Sequence, residues 1–309
     1  MKTALIFGIN GQDGFYLKQL LNQKGYHVVG YDGDIRDGLL VESTIRDAKP
    51  NEIYNLVGQQ KDRISFEFPY DVVSAICTGT LNVLESIKNI NQDIRYFQSS
   101  SSEIFGREWP DWFNARSKLK HLRCPIMGEY SGFKPSTPYS IARVFSQNMV
   151  AAYRNEYDIH ASVGILFNHE SPKRNLSYVT RKITNTIAKI KLGMVDKLEL
   201  GNVGIIKDYG FAGDYVKAMW LMLQQDIPDD YVIATKEPTS VLEFAIMTFD
   251  IAEINNPYSY MSYNQNEICG IIGDNRKAKT VLGWNPEFNV RDLAKLMYNE
   301  DMKGIKNEN

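Results

Sequence analysis

"TALIFGINGQDGFYLKQLLNQKG", residues 3–25, decides the fold. "TALIFGI" (3–9) is a short apolar run that predicts a buried strand. "GFYLKQLLNQKG" (14–25) predicts a helix, with Leu17, Leu20 and Leu21 on one face and Gly25 as its stop. Between them stand Gly8, Gly11 and Gly14, spaced Gly-x-x-Gly-x-x-Gly. A strand-to-helix turn of small residues lets backbone N–H groups and the helix N-terminus approach a pyrophosphate. A bare glycine triplet serves a tight turn equally well. The strand before it and the helix after it favour a dinucleotide-binding loop, and Gln12 and Asp13 fall inside that loop.

The same rhythm continues outward. "HVVGYD" (27–32), "EIYNLVG" (52–58), "IRYFQSSS" (94–101) and "ASVGILFN" (161–168) read as strands. "LLVESTIRDA" (39–48), "DVVSAICTGTLNVLESIKNI" (71–90) and "YSIARVFSQNMVAAYRNEY" (139–157) read as helices between them. Strands alternating with helices predict a doubly wound, parallel α/β sheet of Rossmann type. Past residue 170 the rhythm changes. Helical periodicity at 179–193, 214–225, 241–253 and 290–301 mixes with short strand-like runs at 197–202 and 230–235. The expected division is a dinucleotide-binding domain at 1–168 and a smaller mixed α/β lobe at 169–309, with later segments completing the first sheet. Residues 107–136 fit no element and lie next to "TPYSIAR" (137–143). That is the setting of a lid or of a plain surface insertion.

The second strand ends in "GYDGDIRDG". An acidic residue there accepts hydrogen bonds from the adenosine ribose, which favours NAD. Asp32 is the candidate, with Asp34 and Ile35 beside the adenine. Arg36 is the nearby cation that could meet a 2′-phosphate. "FQSSSSEIFG" (97–106) ends a strand on the side where such sheets bind ligands, and it carries Ser101 and Glu103. Tyr139 opens the helix that follows. A Tyr followed four residues later by a Lys is the catalytic pair of many nicotinamide-dependent enzymes, but here the fourth residue is Arg143. The two share one helix face. Arg keeps the charge but not the compact ammonium.

Composition sets the limits. The chain has 309 residues, 43% hydrophobic and 23% charged, with a formal net charge of -2. Nothing in that balance points to nucleic acid or an anionic membrane as partner. Cys77, Cys124 and Cys269 are scattered, which predicts a reducing cytoplasmic setting without a disulfide frame or a metal site.

The chain resembles the extended short-chain dehydrogenase/reductases, most closely the GDP-mannose 4,6-dehydratases. The likeness spans nearly its whole length. It rests on "GINGQDGFYL", "NEIYNLVGQQ", "SSSSEIFG", "TPYSIAR", "GILFNHESPKR", "YVTRKIT" and "GDNRKAKTVLGWNPE". The resemblance implies that Tyr139 takes the proton of the sugar C4 hydroxyl while hydride leaves C4. Ser101, usually Thr in the family, would hydrogen-bond that oxygen. Glu103 would remove the C5 proton and help expel the C6 hydroxyl as water. The resemblance also implies NADP or NAD contacts at Gly8, Gly11, Gly14, Asp34, Ile35, Leu56, Gly58, Gln59, His169 and Arg174, with Tyr139 and Arg143. Nucleotide-sugar contacts are implied at Asn168, Lys182, Lys207 and Glu267.

The chain departs from that family at several places. Arg143 replaces Lys. The strand-helix segment after the second strand is missing, and with it the Arg pair that reads a 2′-phosphate and a tetramer contact. NAD is therefore slightly favoured, and a homodimer through helices 70–90 and 138–157 is expected. Residues 107–124 look inserted. Lys207 and Asn264 stand where the family has nucleotide-binding arginines. Two alternatives remain beside the dehydratase reading: a GDP-sugar epimerase or 4-keto reductase, and an impaired pseudoenzyme that binds nucleotide sugar.

Overall fold

The computed structural model describes residues 1–58, 62–106, 124–264 and 270–308. β1 (Thr3–Phe7) enters the glycine turn and α1 (Gln12–Gln23) leaves it. The helix starts at Gln12 rather than Gly14 because Gly11, extended at φ -77° and ψ 174°, is its cap. Side chains along β1 alternate between two cores. Ala4 and Ile6 pack with Leu17 and Leu21. Leu5 and Phe7 pack on the opposite face with Val41, Ile45, Val83 and Ile87. A strand buried on both faces is what a parallel sheet covered by helices requires.

That sheet also contains β2 (His27–Tyr31), β3 (Glu52–Asn55), β4 (Arg95–Ser101), β6 (Ala161–Leu166) and β10 (Tyr231–Ile233). All pairings are parallel, in the order β10-β6-β4-β3-β1-β2. The direction of winding reverses between β1 and β3, and ligands of such sheets bind beyond the strand ends at that point. β2 is an edge strand, and the chain passes from it to α2 (Gly38–Ala48). α4 (Pro69–Ile90) and α5 (Pro138–Tyr157) pack against each other. α5 opens with a capping box: Thr137 accepts from the Ser140 N–H, and Ser140 accepts from that of Thr137. Pro138 follows at the first helical position, where its missing N–H costs nothing.

The chain crosses back after residue 168. α7 (Ala212–Met222) and β10 return to the first core, where Met219, Met222 and Tyr231 lie with Ala4 and Ile6. A second core joins Ile183 and Ile187 of α6 (Val179–Lys191), Phe244 and Phe249 of α8 (Val241–Ile251), and Leu293 and Met297 of α10 (Val290–Glu308). The run 161–168 is not one strand. It breaks at Phe167, whose N–H bonds to the Ile233 carbonyl. β7 (Asn168–Glu170) then pairs with β9 (Ile206–Phe211), a strand the sequence reading did not find.

Cys124 is disulfide-bonded and Cys77 is free. This corrects the expectation of no disulfide and removes the cysteine argument for a reducing compartment. Cys269 and most of the 107–124 stretch lie outside the described residues. No described helix is long and apolar enough to cross a membrane.

Candidate active site

The glycine loop closes tightly on itself. Gly8 has φ +83°, a region L side chains rarely adopt, and the Gly11 N–H bonds back to its carbonyl at 3.0 Å. A Cβ at position 14 would stand 2.4 Å from the Ile9 carbonyl oxygen and 2.5 Å from that of Gly8. One at position 8 would stand 3.3 Å from the Leu56 carbonyl carbon. The loop is thus pressed against the C-terminal end of β3, in the crevice between β1 and β3. No side chain caps α1, so its N-terminus keeps the donors and partial positive charge that suit an anion. The missing side chains make a cradle that fits a dinucleotide pyrophosphate.

Behind the cradle is a buried polar knot. His169, 7% exposed, sets Nε2 at 3.0 and 3.1 Å from the two Asp13 oxygens and Nδ1 at 2.7 Å from the Phe167 carbonyl. Both ring nitrogens face acceptors, so only the imidazolium satisfies both. Gln12 bonds to the His169 carbonyl and to Asp13, and Ser171 bonds to Gln12. The ring stacks on Tyr215 at 4.7 Å. Burial opposes the charged form of each partner, but their mutual attraction outweighs it. His169 is held above its ordinary pKa and Asp13 below its own. His169 and Asp13 therefore brace the loop, and both imidazole nitrogens are engaged in doing so.

The pair gives the stability a defined pH dependence. The His169 contribution is full below the unfolded value of about 6.5 and is lost as pH rises through its raised folded value. The Asp13 contribution is full above the unfolded value of about 3.9 and is lost as pH falls through its lowered folded value. We expect denaturant unfolding of His169→Phe to show a loss of about 3–5 kcal/mol at neutral pH, since the buried Asp13 carboxylate loses the imidazolium that offsets its burial. The alkaline fall in stability seen in the parent should shrink with it. A parent and variant with the same pH profile would count against the ion pair.

Tyr139 and Arg143 lie on the inner face of α5, 7% and 1% exposed. The guanidinium carbon is 5.2 Å from the centroid of the Tyr139 ring. Its fork is engaged elsewhere. Nη1 donates to the Ser99 carbonyl at 2.7 Å and to Ser99 Oγ at 3.2 Å, and Nη2 donates to the Val57 carbonyl at 3.0 Å. Nε is buried without a partner. Arg143 thus ties the loop after β3 to the end of β4. Gly58 follows Val57 with φ +101°, and a Cβ there would stand 3.1 Å from Nη2.

Ser101, Glu103, Tyr139 and Arg143 line one cavity of about 660 Å³, together with Asn168, His169, Arg174 and Lys207. Glu103 sits in the short turn Ser102–Phe105 that ends β4, its N–H bonded to Ser101 Oγ at 3.3 Å. Arg174 lies 3.2 Å from a Glu170 oxygen in ionic contact, and its guanidinium covers the Tyr178 ring at 3.8 Å. The contact is too poorly aligned for a hydrogen bond, which leaves the buried Nε of Arg174 open to one.

Other candidates lie apart. Asp32 is exposed, and the Asn10 amide donates to it at 3.4 Å. Asp34 and Arg36 bind each other through a forked contact of 2.6–2.9 Å, and Arg36 also reaches Asp71. These bonds lower the Asp34 pKa. Ile35 and Leu56 are buried. Lys182 is exposed on α6 and is not part of the cavity wall. Gln59 and Glu267 lie outside the described residues. The cavity also takes in Ser99 and Tyr209, which the sequence reading passed over. Strand alternation was a signal for both, since Ser99 lies two residues from Ser101 on β4 and Tyr209 two from Lys207 on β9.

Comparison with known proteins places the chain in a family. Residues 30–297 match the family model described as GDP-mannose 4,6 dehydratase. GDP-mannose 4,6 dehydratase 1 of Arabidopsis thaliana is 37% identical, covering 99% of this chain and 91% of its own. The Homo sapiens GDP-mannose 4,6 dehydratase is 33% identical, covering 97% and 91%. Among solved structures, RMD from Pseudomonas aeruginosa complexed with NADPH superposes with a TM-score of 0.86 at 18% identity, covering 98% of this chain and 100% of that one. dTDP-glucose 4,6-dehydratase from Bacillus anthracis in complex with NAD gives 0.82 at 16%, covering 99% and 98%. Likeness at that identity speaks for the shared Rossmann-type fold, whereas the two sequence relatives and the matched model carry the assignment: the chain belongs to the GDP-mannose 4,6-dehydratase family.

Proposed function

We propose that the chain converts GDP-mannose, or a closely related GDP-hexose, to the 4-keto-6-deoxy sugar. One observation carries the reading. A single cavity of about 660 Å³ gathers a carboxylate, Glu103, with Tyr139 and Ser101, and is lined by His169, which braces the dinucleotide cradle through Asp13. Removal of a proton next to a carbonyl needs an acid–base group of that kind.

A nicotinamide dinucleotide, when bound, supplies reversible hydride acceptance. The cradle at Gly8, Gly11 and Gly14 would hold its pyrophosphate, and Arg174 offers an open buried donor at the cavity wall. Tyr139 accepts the C4 hydroxyl proton, and Ser101 hydrogen-bonds the same oxygen. With C4 a ketone, the C5 proton is acidic. Glu103 takes it and returns a proton to the C6 hydroxyl, which leaves as water; the hydride taken from C4 would then return to C6 and a proton to C5, giving the 4-keto-6-deoxy sugar and restoring the cofactor. NAD is the favoured cofactor. Asp32 is exposed and holds only a long bond from the Asn10 amide, so it can meet ribose hydroxyls, and Arg36 is neutralised by Asp34 and Asp71 and so is poorly placed for a 2′-phosphate. A homodimer through α4 and α5 would cover Tyr70, Ile141 and Phe145, which those helices expose.

The test is product mass. Protein incubated with GDP-mannose and either NAD or NADP should yield a nucleotide sugar lighter by one water, more readily with NAD. An isomer of unchanged mass would replace the reading with epimerisation. A faster reaction with NADP would sink the cofactor preference alone. Light scattering of the same preparation should give a dimer, and a stable tetramer would contradict the interface.

A further inference from the structure

Two opposite charges from different parts of the fold meet at the cavity. Glu103 stands on the turn after β4 and Lys207 on β9, and Nζ lies 3.8 Å from Oε1. Neither side chain is deeply buried, at 33% exposed for Lys207 and 22% for Glu103. The distance is ionic contact without a directed hydrogen bond. The other described cavity cations are held more firmly. Arg143 is bonded to two backbone carbonyls, and Arg174 lies between the Glu170 carboxylate and the Tyr178 ring. Lys207 is the cavity cation with the loosest hold and the freest stem, and its present partner is the carboxylate the reaction would use.

We propose that Lys207 is shared between Glu103 and the diphosphate of the incoming nucleotide sugar, so that seating the anion draws the cation off Glu103. The proposal rests on the function proposed above. An ammonium is a point charge that can exchange one oxyanion for another without a fixed geometry. A diphosphate with two phosphoryl groups outcompetes one carboxylate for it. A carboxylate relieved of a cation accepts a proton more readily. Glu103 thereby has the Lys207 charge beside it in the empty site and loses that charge when substrate is in place. Lys207 is then a positioning residue that acts through Glu103.

The coupling is reciprocal, and that makes it measurable. If Glu103 competes with the diphosphate for Lys207, removing the carboxylate charge must tighten the anion. GDP is titrated calorimetrically into the parent, Glu103→Gln, Lys207→Met and the double variant. In the Lys207 background, Glu103→Gln should tighten GDP about two- to five-fold, the range a partly exposed ion pair supports. In the Lys207→Met background the same change should do nothing. An equal effect in both backgrounds, or none in either, overturns the sharing. The parent's conversion of GDP-mannose separates this from the wider reading. A parent that forms keto sugar without coupling overturns the inference alone. A parent that binds no GDP overturns the proposed function and the inference together.

Discussion

Glu103→Gln stops formation of the 4-keto-6-deoxy sugar, with a single-turnover rate about 10²–10⁴-fold below the parent. The substitution keeps the shape of the side chain and removes its ability to take a proton. Glu103 lines the cavity from a turn whose backbone is fixed by the bond from its own N–H to Ser101 Oγ. Gln preserves that bond, because it is made by the backbone. The dinucleotide cradle is built from other residues, so cofactor affinity should be unchanged. Oxidation at C4 relies on Tyr139 and should survive, which leaves a distinct signature. The variant should still pass hydride to the cofactor, seen as absorbance, without losing water from the sugar. Deuterium from solvent should no longer enter C5. A rate equal to the parent's would remove Glu103 from the mechanism.

Arg143→Ala is expected to cost about 10²-fold in turnover and several kcal/mol in stability. The sequence alone suggests an electrostatic partner of Tyr139, and the structure adds a mechanical role. The guanidinium is 1% exposed and satisfies the carbonyls of Val57 and Ser99. Truncation takes the Arg143 donor from the Val57 carbonyl, leaves the Ser99 carbonyl with only the Gln98 amide, and opens a void beside the Tyr139 ring, at about 1–3 kcal/mol for an orphaned group. Val57 adjoins Leu56, against which Gly8 packs, so the loss should also loosen the cradle. Dinucleotide affinity should fall along with turnover. Arg143→Lys separates the two roles. One ammonium cannot bridge both carbonyls as the fork does, so the variant should unfold at lower denaturant than the parent. Its compact charge is better suited to the nicotinamide ribose, so turnover should be equal or higher. Denaturant unfolding and single-turnover assays on the three proteins decide between these roles. An Ala variant as stable and as fast as the parent would leave position 143 with no role.

The continuous apolar run of β1 and the glycine spacing after it determine the parallel sheet, because a strand buried on both faces and a helix-opening glycine turn leave few other solutions. The chain passes from β2 directly to α2, and the sheet has β2 as its edge. The sequence places Ser101, Glu103 and Tyr139 near strand ends and a helix start, all of them local features. Side-chain partners between distant segments are another matter. Nothing local indicates that Arg143 would spend its fork on carbonyls 44 and 86 residues away, since a guanidinium is free to choose among acceptors the fold supplies. The same holds for His169, whose ring is claimed by Asp13 from 156 residues away and so braces the glycine loop. β9 escaped notice because its burial is set by β7 and β11 (Pro238–Ser240) on either side rather than by an apolar run of its own. Its neighbours place Lys207 against Glu103. Local spacing fixed which groups exist and on which face they stand, and only tertiary packing decided which charges would find each other, because in a buried site a charge takes the nearest partner the fold provides.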